Sequence, residues 1–293
     1  MASQAKLSCV AINRILLATD FLPESENALA CALSVAKRFG SSLLLTHILT
    51  AEDFTGEGFE WPALSDITRR NAEKKMARLR NCRQLDSISQ EVIIRPGHPG
   101  DVITQLAAEK DIDLIVMGTH GDAAIKKLFL GSTAENVIRH STCPVLTVGP
   151  HVAVQPLDRF NCILYATDYS AGSLQALKYA LLLAREDRSE LTLLHVIESS
   201  PTGETELRQW KREDRERLLR MLPSDAELAY EPEVVIETGV PAVEILRFAD
   251  TRRVELIVMG SHAGGAMATH LPWTTLHDVL RNAECPVLTV CAQ

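Results

Sequence analysis

The residues best placed to do chemistry in this 293-residue chain are glycines and hydroxyls rather than acids, histidines or thiols. Gly118, Gly121 and Gly131 follow the spacing G-x2-G-x9-G-S, and Ser132 and Thr133 come directly after. Glycine backbones turn through positive φ and approach a ligand closely. A helix beginning near Ser132 would offer free amides and a positive dipole end, which together make an anion site. Ser132 and Thr133 add hydroxyl donors for a phosphate. The same hydroxyls suit an N-cap, and the two roles are compatible. Lys126 and Lys127 fall in the nine-residue gap, either as phosphate contacts or as a solvated pair on a loop. The spacing is neither the P-loop pattern GxxxxGK[ST] nor the dinucleotide pattern GxGxxG. No HExxH, His/Cys cluster or GxSxG elbow is present, so neither a metal site nor a hydrolytic nucleophile is indicated.

These glycines need a strand before them and a helix after them. DLIVMG (113–118) reads as a short buried strand, and STAENVIRH (132–140) as a helix begun after Gly131. NRILLAT, SLLLTHIL, QEVIIR and CPVLTV are further Val/Ile/Leu-rich runs of strand length. ESENALACALSVAKRFG has apolar residues at helical spacing and ends on Gly40, a C-cap signal. NAEKKMARLRNC and PGDVITQLAAEK are also helical, with Pro99 near a helix start. Strands alternating with helices predict a doubly wound parallel α/β sheet. Ligands of such sheets bind beyond the carboxyl ends of the strands. That directs attention to Asp20, just after the first strand, as well as to the glycine loop. Asp also favours such turns for purely local reasons.

The chain is written twice. ILLATDFLPESENALACAL (15–33) resembles ILYATDYSAGSLQALKYAL (163–181) at an offset of 148. GHPGDVITQLAAEKDIDLIVMGTHG (97–121) resembles GVPAVEILRFADTRRVELIVMGSHA (239–263), and CPVLTV recurs, both at an offset of 142. A period this long is a domain duplication. The expected domains are 1–149 and 161–293, joined by a linker over 150–160 that contains prolines. Residues 1–149 carry 16 Lys+Arg against 17 Asp+Glu, and residues 150–293 carry 14 against 21. The acidity lies in the second copy.

A net charge of −8 argues against nucleic acid as a partner. It leaves room for one nucleotide held by backbone amides. No apolar run is long enough for a membrane span, and the first residues lack a signal peptide's apolar stretch. Seven cysteines, odd in number and without a CxxC pair, fit reduced packing thiols in a cytoplasmic protein. His47 and His195 occupy equivalent strand positions and read as structural. LRQWKREDRERLLRML (207–222) reads as a solvated amphipathic helix with i,i+4 charge pairs.

The ATD after the first strand, the strand ending His47-Ile48, the strand ending MG, the glycine loop and the PVLTV strand together resemble the universal stress protein family, here in tandem. The resemblance implies two flavodoxin-like (adenine nucleotide alpha hydrolase-like) domains, each a five-stranded parallel sheet with helices on both faces. It also implies ATP as ligand. Asp20 would then contact the ribose or adenosine, Ile48 and Met117 would line the adenine pocket, and Gly118, Gly121, Gly131, Ser132 and Thr133 would hold the phosphates. Mg²⁺ would help neutralise those phosphates. The second copy keeps Asp168, Val196, Met259 and Gly260 at the matching positions. It has Ala263 for Gly121, Trp273 for Gly131 and Thr274 for Ser132. This site is expected to be degenerate, or else to hold another ligand or another pose.

Each copy ends on an apolar VLTV strand at its sheet margin, and an exposed apolar edge is a liability unless paired. Strand 145–148 is therefore expected to pair antiparallel with strand 287–290 as an internal pseudo-dimer, which leaves room for a further homo-oligomer. The expected function is a nucleotide-binding stress-response module that turns ATP over slowly at most. The alternatives are a slow ATPase or nucleotidyl-transferring enzyme, and a scaffold that has lost its ligand.

Overall fold

A computed structural model of the chain describes residues 10–50, 61–119, 130–152, 159–198, 203–224, 226–261 and 271–292. The chain divides into two compact units, Ala11–Leu157 and Asp158–Gln293. The first contains strands β1 (Arg14–Ala18), β2 (Ser42–Leu49), β3 (Gln90–Pro96), β4 (Leu114–Gly118) and β5 (Val145–Val148). Helices α1 (Pro23–Phe39), α2 (Trp61–Arg80), α3 (Pro99–Glu109) and α4 (Ser132–His140) alternate with them. The second contains strands β6 (Cys162–Ala166), β7 (Glu190–Ile197), β8 (Glu233–Thr238), β9 (Leu256–Ser261) and β10 (Val287–Cys291). Its helices are α5 (Ala171–Asp187), α6 (Glu204–Met221), α7 (Pro241–Thr251) and α8 (Leu271–Asn282).

Within each unit every strand pairing is parallel. Parallel strands need crossover helices, which cover both faces of the sheet. That is why Ile15, Leu16 and Leu17, or Leu43, Leu44 and Leu45, run consecutively through the core without polar alternation. Each unit is thus a flavodoxin-like α/β sandwich. The strand order in each is 3-2-1-4-5, so the winding reverses between β1 and β4, and again between β6 and β9. Flavodoxin itself reverses between its first and third strands. The reversal opens a crevice at the carboxyl edge of the strands, and the helices on its two sides belong to opposite faces.

Local signals set the element ends. Gly40 takes the left-handed conformation (φ 66°) after α1 and donates its amide to the Ala36 carbonyl, a conformation that costs glycine nothing. Pro99 and Pro241 occupy the first position of α3 and α7, where a missing amide is harmless. At the opposite edge from the crevice, the Asp113 carboxylate accepts the amides of Asn13 (2.8 Å) and Arg14 (2.9 Å). Glu255 accepts the Asn161 amide in the same way, so both copies tie their first strand to their fourth through one acid. No helix among the described residues is long and apolar enough to cross a membrane.

Helix α2 extends beyond the periodic segment 71–82, beginning at Trp61. Helix α6 begins at Glu204, before the segment 207–222, and carries the exposed i,i+4 pair Arg208–Glu204. Not all of its charges face water alone, however: Asp214 is half-buried, and the exposed Arg217 lays its guanidinium over the Tyr169 ring.

Candidate functional site

In the first unit, the end of β4 and the start of α4 meet at the carboxyl edge of the sheet. Gly118 closes β4 in register with Val148. The amide of Gly131 donates to the carbonyl of Thr119 at 2.8 Å, which holds the two ends of the glycine loop together. Gly131 is the N-cap of α4, with extended backbone (φ −62°, ψ 141°). The amides of Ser132, Thr133 and Ala134 therefore have no acceptor inside the helix. The helix dipole concentrates partial positive charge on those same amides. Ser132 is exposed and Thr133 half-buried on that same first turn. Gly121, Lys126 and Lys127 lie outside the described residues.

Side chains alternate between the faces of a strand. Ala18 opposite Thr46, and Leu17 opposite Val116, put Ile48 and Met117 on one common face. Both are buried. Asp20 is exposed in the turn after β1. Its carboxylate accepts the Leu22 amide (3.0 Å) and the Ser25 hydroxyl, an arrangement that fixes its direction. Phe21 beside it has a left-handed φ of 64°, which is uncommon for a bulky residue. The His47 ring holds it there, with centroids 4.5 Å apart. The His47 Nδ1–H donates to the Thr19 carbonyl at 2.8 Å. His47 is thus a brace for the turn that presents Asp20.

The second unit builds the same turn. Asp168 accepts the Ser170 amide (3.0 Å) and the Ser173 hydroxyl (2.8 Å). Tyr169 takes φ 62°, and His195 donates to the Thr167 carbonyl at 2.8 Å. Here α6 adds contacts that the first unit lacks. The Tyr169 hydroxyl donates to the Asp214 carboxylate at 3.2 Å, and the Arg217 guanidinium lies 3.7 Å from the Tyr169 ring centroid. Burial, followed by the Asp214 charge, raises the Tyr169 pKa well above its ordinary value. The phenol stays protonated and donating. In the first unit Ala72 stands at the position of Asp214, and Lys75 sits 5.4 Å from the Phe21 ring.

The start of the last helix differs more. Helix α8 starts at Leu271, so Trp273 and Thr274 are the third and fourth helical residues. The aligned residues in the first unit, Gly131 and Ser132, are the cap and first residue of α4. The helix therefore begins about one turn earlier, and the Thr274 amide is used within it rather than left free. Pro272, in the first turn, has no amide to offer. Val196 and Met259 are buried and share a face through the register of Ala166 with Met259 and with Leu194. At Gly260 a β-carbon would stand 2.0 Å from the Ser173 nitrogen. The glycine is needed there for the approach of α5. Ala263, Gly264 and Gly265 lie outside the described residues.

The profile of the universal stress protein family matches residues 11–149 and again residues 159–290. The chain belongs to the universal stress protein family. One universal stress protein of Thermus aquaticus is 38% identical over 136 residues, 46% of this chain and 96% of its own length. One of Methanocaldococcus jannaschii is 28% identical over 137 residues, 46% of this chain and 81% of its own length. The crystal structure of a universal stress protein from Archaeoglobus fulgidus is similar over 98% of both chains, with a TM-score of 0.76 and 25% identity. This member is therefore a tandem universal stress protein, as its internal repeat implied.

The sequence pattern singled out Gly131–Thr133, which the structure places at the start of α4, but not the residues that fix that turn and the one at Asp20. Thr119, whose carbonyl anchors Gly131, and Ser25, which holds Asp20, carry no motif signal. The tilted pairs His47–Phe21 and His195–Tyr169 were legible only as equivalent histidines. Among the described residues, no three His, Cys, Asp or Glu side chains gather as a metal site. Six described cysteines are free thiols. Burial pushes Cys31 and Cys285 up to about 12, so both are protonated packing residues.

Proposed function

We propose that the first unit binds ATP and that the chain works as a nucleotide-responsive module, not as a fast catalyst. The observation that carries this is the helix α4 terminus. Three free amides, two hydroxyls and a positive dipole end converge at the carboxyl edge, held there by the bond from Gly131 to Thr119. That donor set fits an anion with several oxygens. Ile48 and Met117 share a buried apolar face suited to a base, and Asp20 is a fixed acceptor for ribose hydroxyls. Adenine in particular comes from the family resemblance. Mg²⁺, if it accompanies the nucleotide, would be carried largely by the phosphates.

The second unit is read as a degenerate copy with a structural role. Its α8 amides are displaced by a turn, and α5 packs onto Gly260. The apolar margins Val145–Val148 and Val287–Cys291 are proposed to pair, so that one chain forms its own pseudo-dimer. The reduced thiols fit a cytoplasmic setting.

The test is mass spectrometry of nucleotide released from the purified chain, together with a turnover assay. ATP at about one per chain with negligible ADP release supports the module. Steady turnover abolished by Ser132→Ala would make the protein an enzyme, and a chain that neither carries nor takes up nucleotide would end the reading.

A further inference from the structure

In the first unit, helices α3 and α4 meet at a distance that only glycine allows. A β-carbon on Gly100, the second residue of α3, would stand 2.6 Å from Asn136 Cγ and 2.7 Å from Asn136 Cβ. The Cβ of Asn136 moves only with the backbone of α4, so a larger residue at position 100 must push the two helices apart. Beside this contact, the Asn136 amide Nδ2 donates to the Asp101 carboxylate at 3.2 Å. Its Oδ1 is buried against Gly100.

Asn136 follows Ser132 by four residues, which is about one turn, or about 6 Å, along the axis of α4. The free amides of Ser132, Thr133 and Ala134 therefore lie one turn from a contact that has no slack. The bond from Gly131 to Thr119 holds the entry to α4. The contact with α3 supplies a second fixed point, and two points set the direction of a helix where one does not.

The second unit has Ala242 for Gly100, Val243 for Asp101 and Asp278 for Asn136. Ala242 carries the β-carbon that Gly100 lacks. Val243 is exposed and has no oxygen on its side chain to accept a bond, and Asp278 has no amide to donate. The latch is thus missing from the copy whose last helix starts a turn earlier.

We propose that Gly100 and the Asp101–Asn136 bond position the phosphate end of the nucleotide site, by holding α4 at the angle where its free amides converge. This rests on the nucleotide reading of the first unit. The three residues act through α4 rather than by contact with the ligand.

A general loosening of the unit weakens every ligand, whereas misaimed amides weaken only those that carry phosphates. The experiment therefore measures the affinity of the full chain for ATP by calorimetry and for adenosine by NMR titration. Gly100→Ala is expected to weaken ATP about tenfold or more, as overpacking at a helix contact would, and to leave adenosine within about twofold. Asp101→Ala and Asp101→Asn remove the same charge, but only the second keeps an acceptor for Asn136. Asp101→Asn should therefore bind ATP about threefold tighter than Asp101→Ala, the worth of one modest hydrogen bond. Wild-type ATP affinity in Gly100→Ala overturns the proposal, as does a loss shared equally by adenosine, or equal ATP affinity in the two Asp101 variants. If Gly100→Ala fails to fold, the Asp101 pair decides. A wild type that binds no ATP ends the nucleotide reading, and this proposal with it.

Discussion

Helices α4 and α8 descend from the same element, yet one begins at Ser132 and the other at Leu271, about a turn earlier by alignment. The shift converts free amides into ordinary helical hydrogen bonds. The first helices differ too: Ser170 caps α5 and Gly172 lies against Ser261 of β9. Leu22 gives α1 no side-chain cap, whereas the bond from Ser25 to Asp20 matches that from Ser173 to Asp168. The two differences act at the same edge of the sheet. On the proposed reading, a ligand site in this fold is lost by satisfying its own backbone, with the strands beneath it keeping their order and register.

The largest effect that would break this contrast is steric. Gly260→Ala forces α5 from β9 and is expected to cost the second unit about 3 kcal/mol or more, at the upper end for overpacking. Hydrogen exchange across β6, β9 and α5 in the full chain would show it, and protection equal to wild type would mean that the close packing is not rigid.

The next effect separates the units by pH. Burial raises the Tyr165 phenol to about 12 from its ordinary 10, and Leu17 replaces it in the first unit. A folded-state pKa above the unfolded one gives stability that is complete below pH 10 and is lost as pH rises towards 12. The second unit should lose about 2 kcal/mol more than the first across that window. Tyr165→Phe should remove only its own share of the difference, the raised Tyr169 phenol carrying the rest, read as the denaturation midpoint at pH 8 and at pH 11.5.

A smaller effect concerns the clasp on α6. Tyr169→Phe removes a hydrogen bond to a carboxylate, worth about 1.5 kcal/mol, and should speed exchange in α6 while leaving α2 untouched. Combining Phe21→Tyr with Ala72→Asp should transfer part of that protection to α2. The smallest expected change is Ser170→Ala, a lost cap of about 1 kcal/mol. Leu22→Ser in the first unit should gain no more than that.

Much of this contrast was legible in the sequence, and the reasons are local. Gly40, Pro99 and the Gly131-Ser132 junction act through their own backbone dihedrals, so the ends of α1, α3 and α4 could be read directly. Trp273 and Pro272 likewise announced an altered loop. The seat of α5 could not be read, because Gly172 looks like any helical glycine until Gly260 is known to lie against it. Tyr169 and Asp214 are 45 residues apart, and no short-range pattern links them. A charge-rich helix such as α6 hides the few charges it turns inward among those it leaves in water.

The central claim is that one chain holds one nucleotide, and that it lies at α4. Calorimetric titration of ATP into the wild-type chain and into Gly131→Trp tests it most directly, because that substitution writes the second unit's own residue into the first. One site per chain, lost in Gly131→Trp with circular dichroism unchanged, is the predicted result. Two sites per chain, or one site that survives the tryptophan, would contradict it.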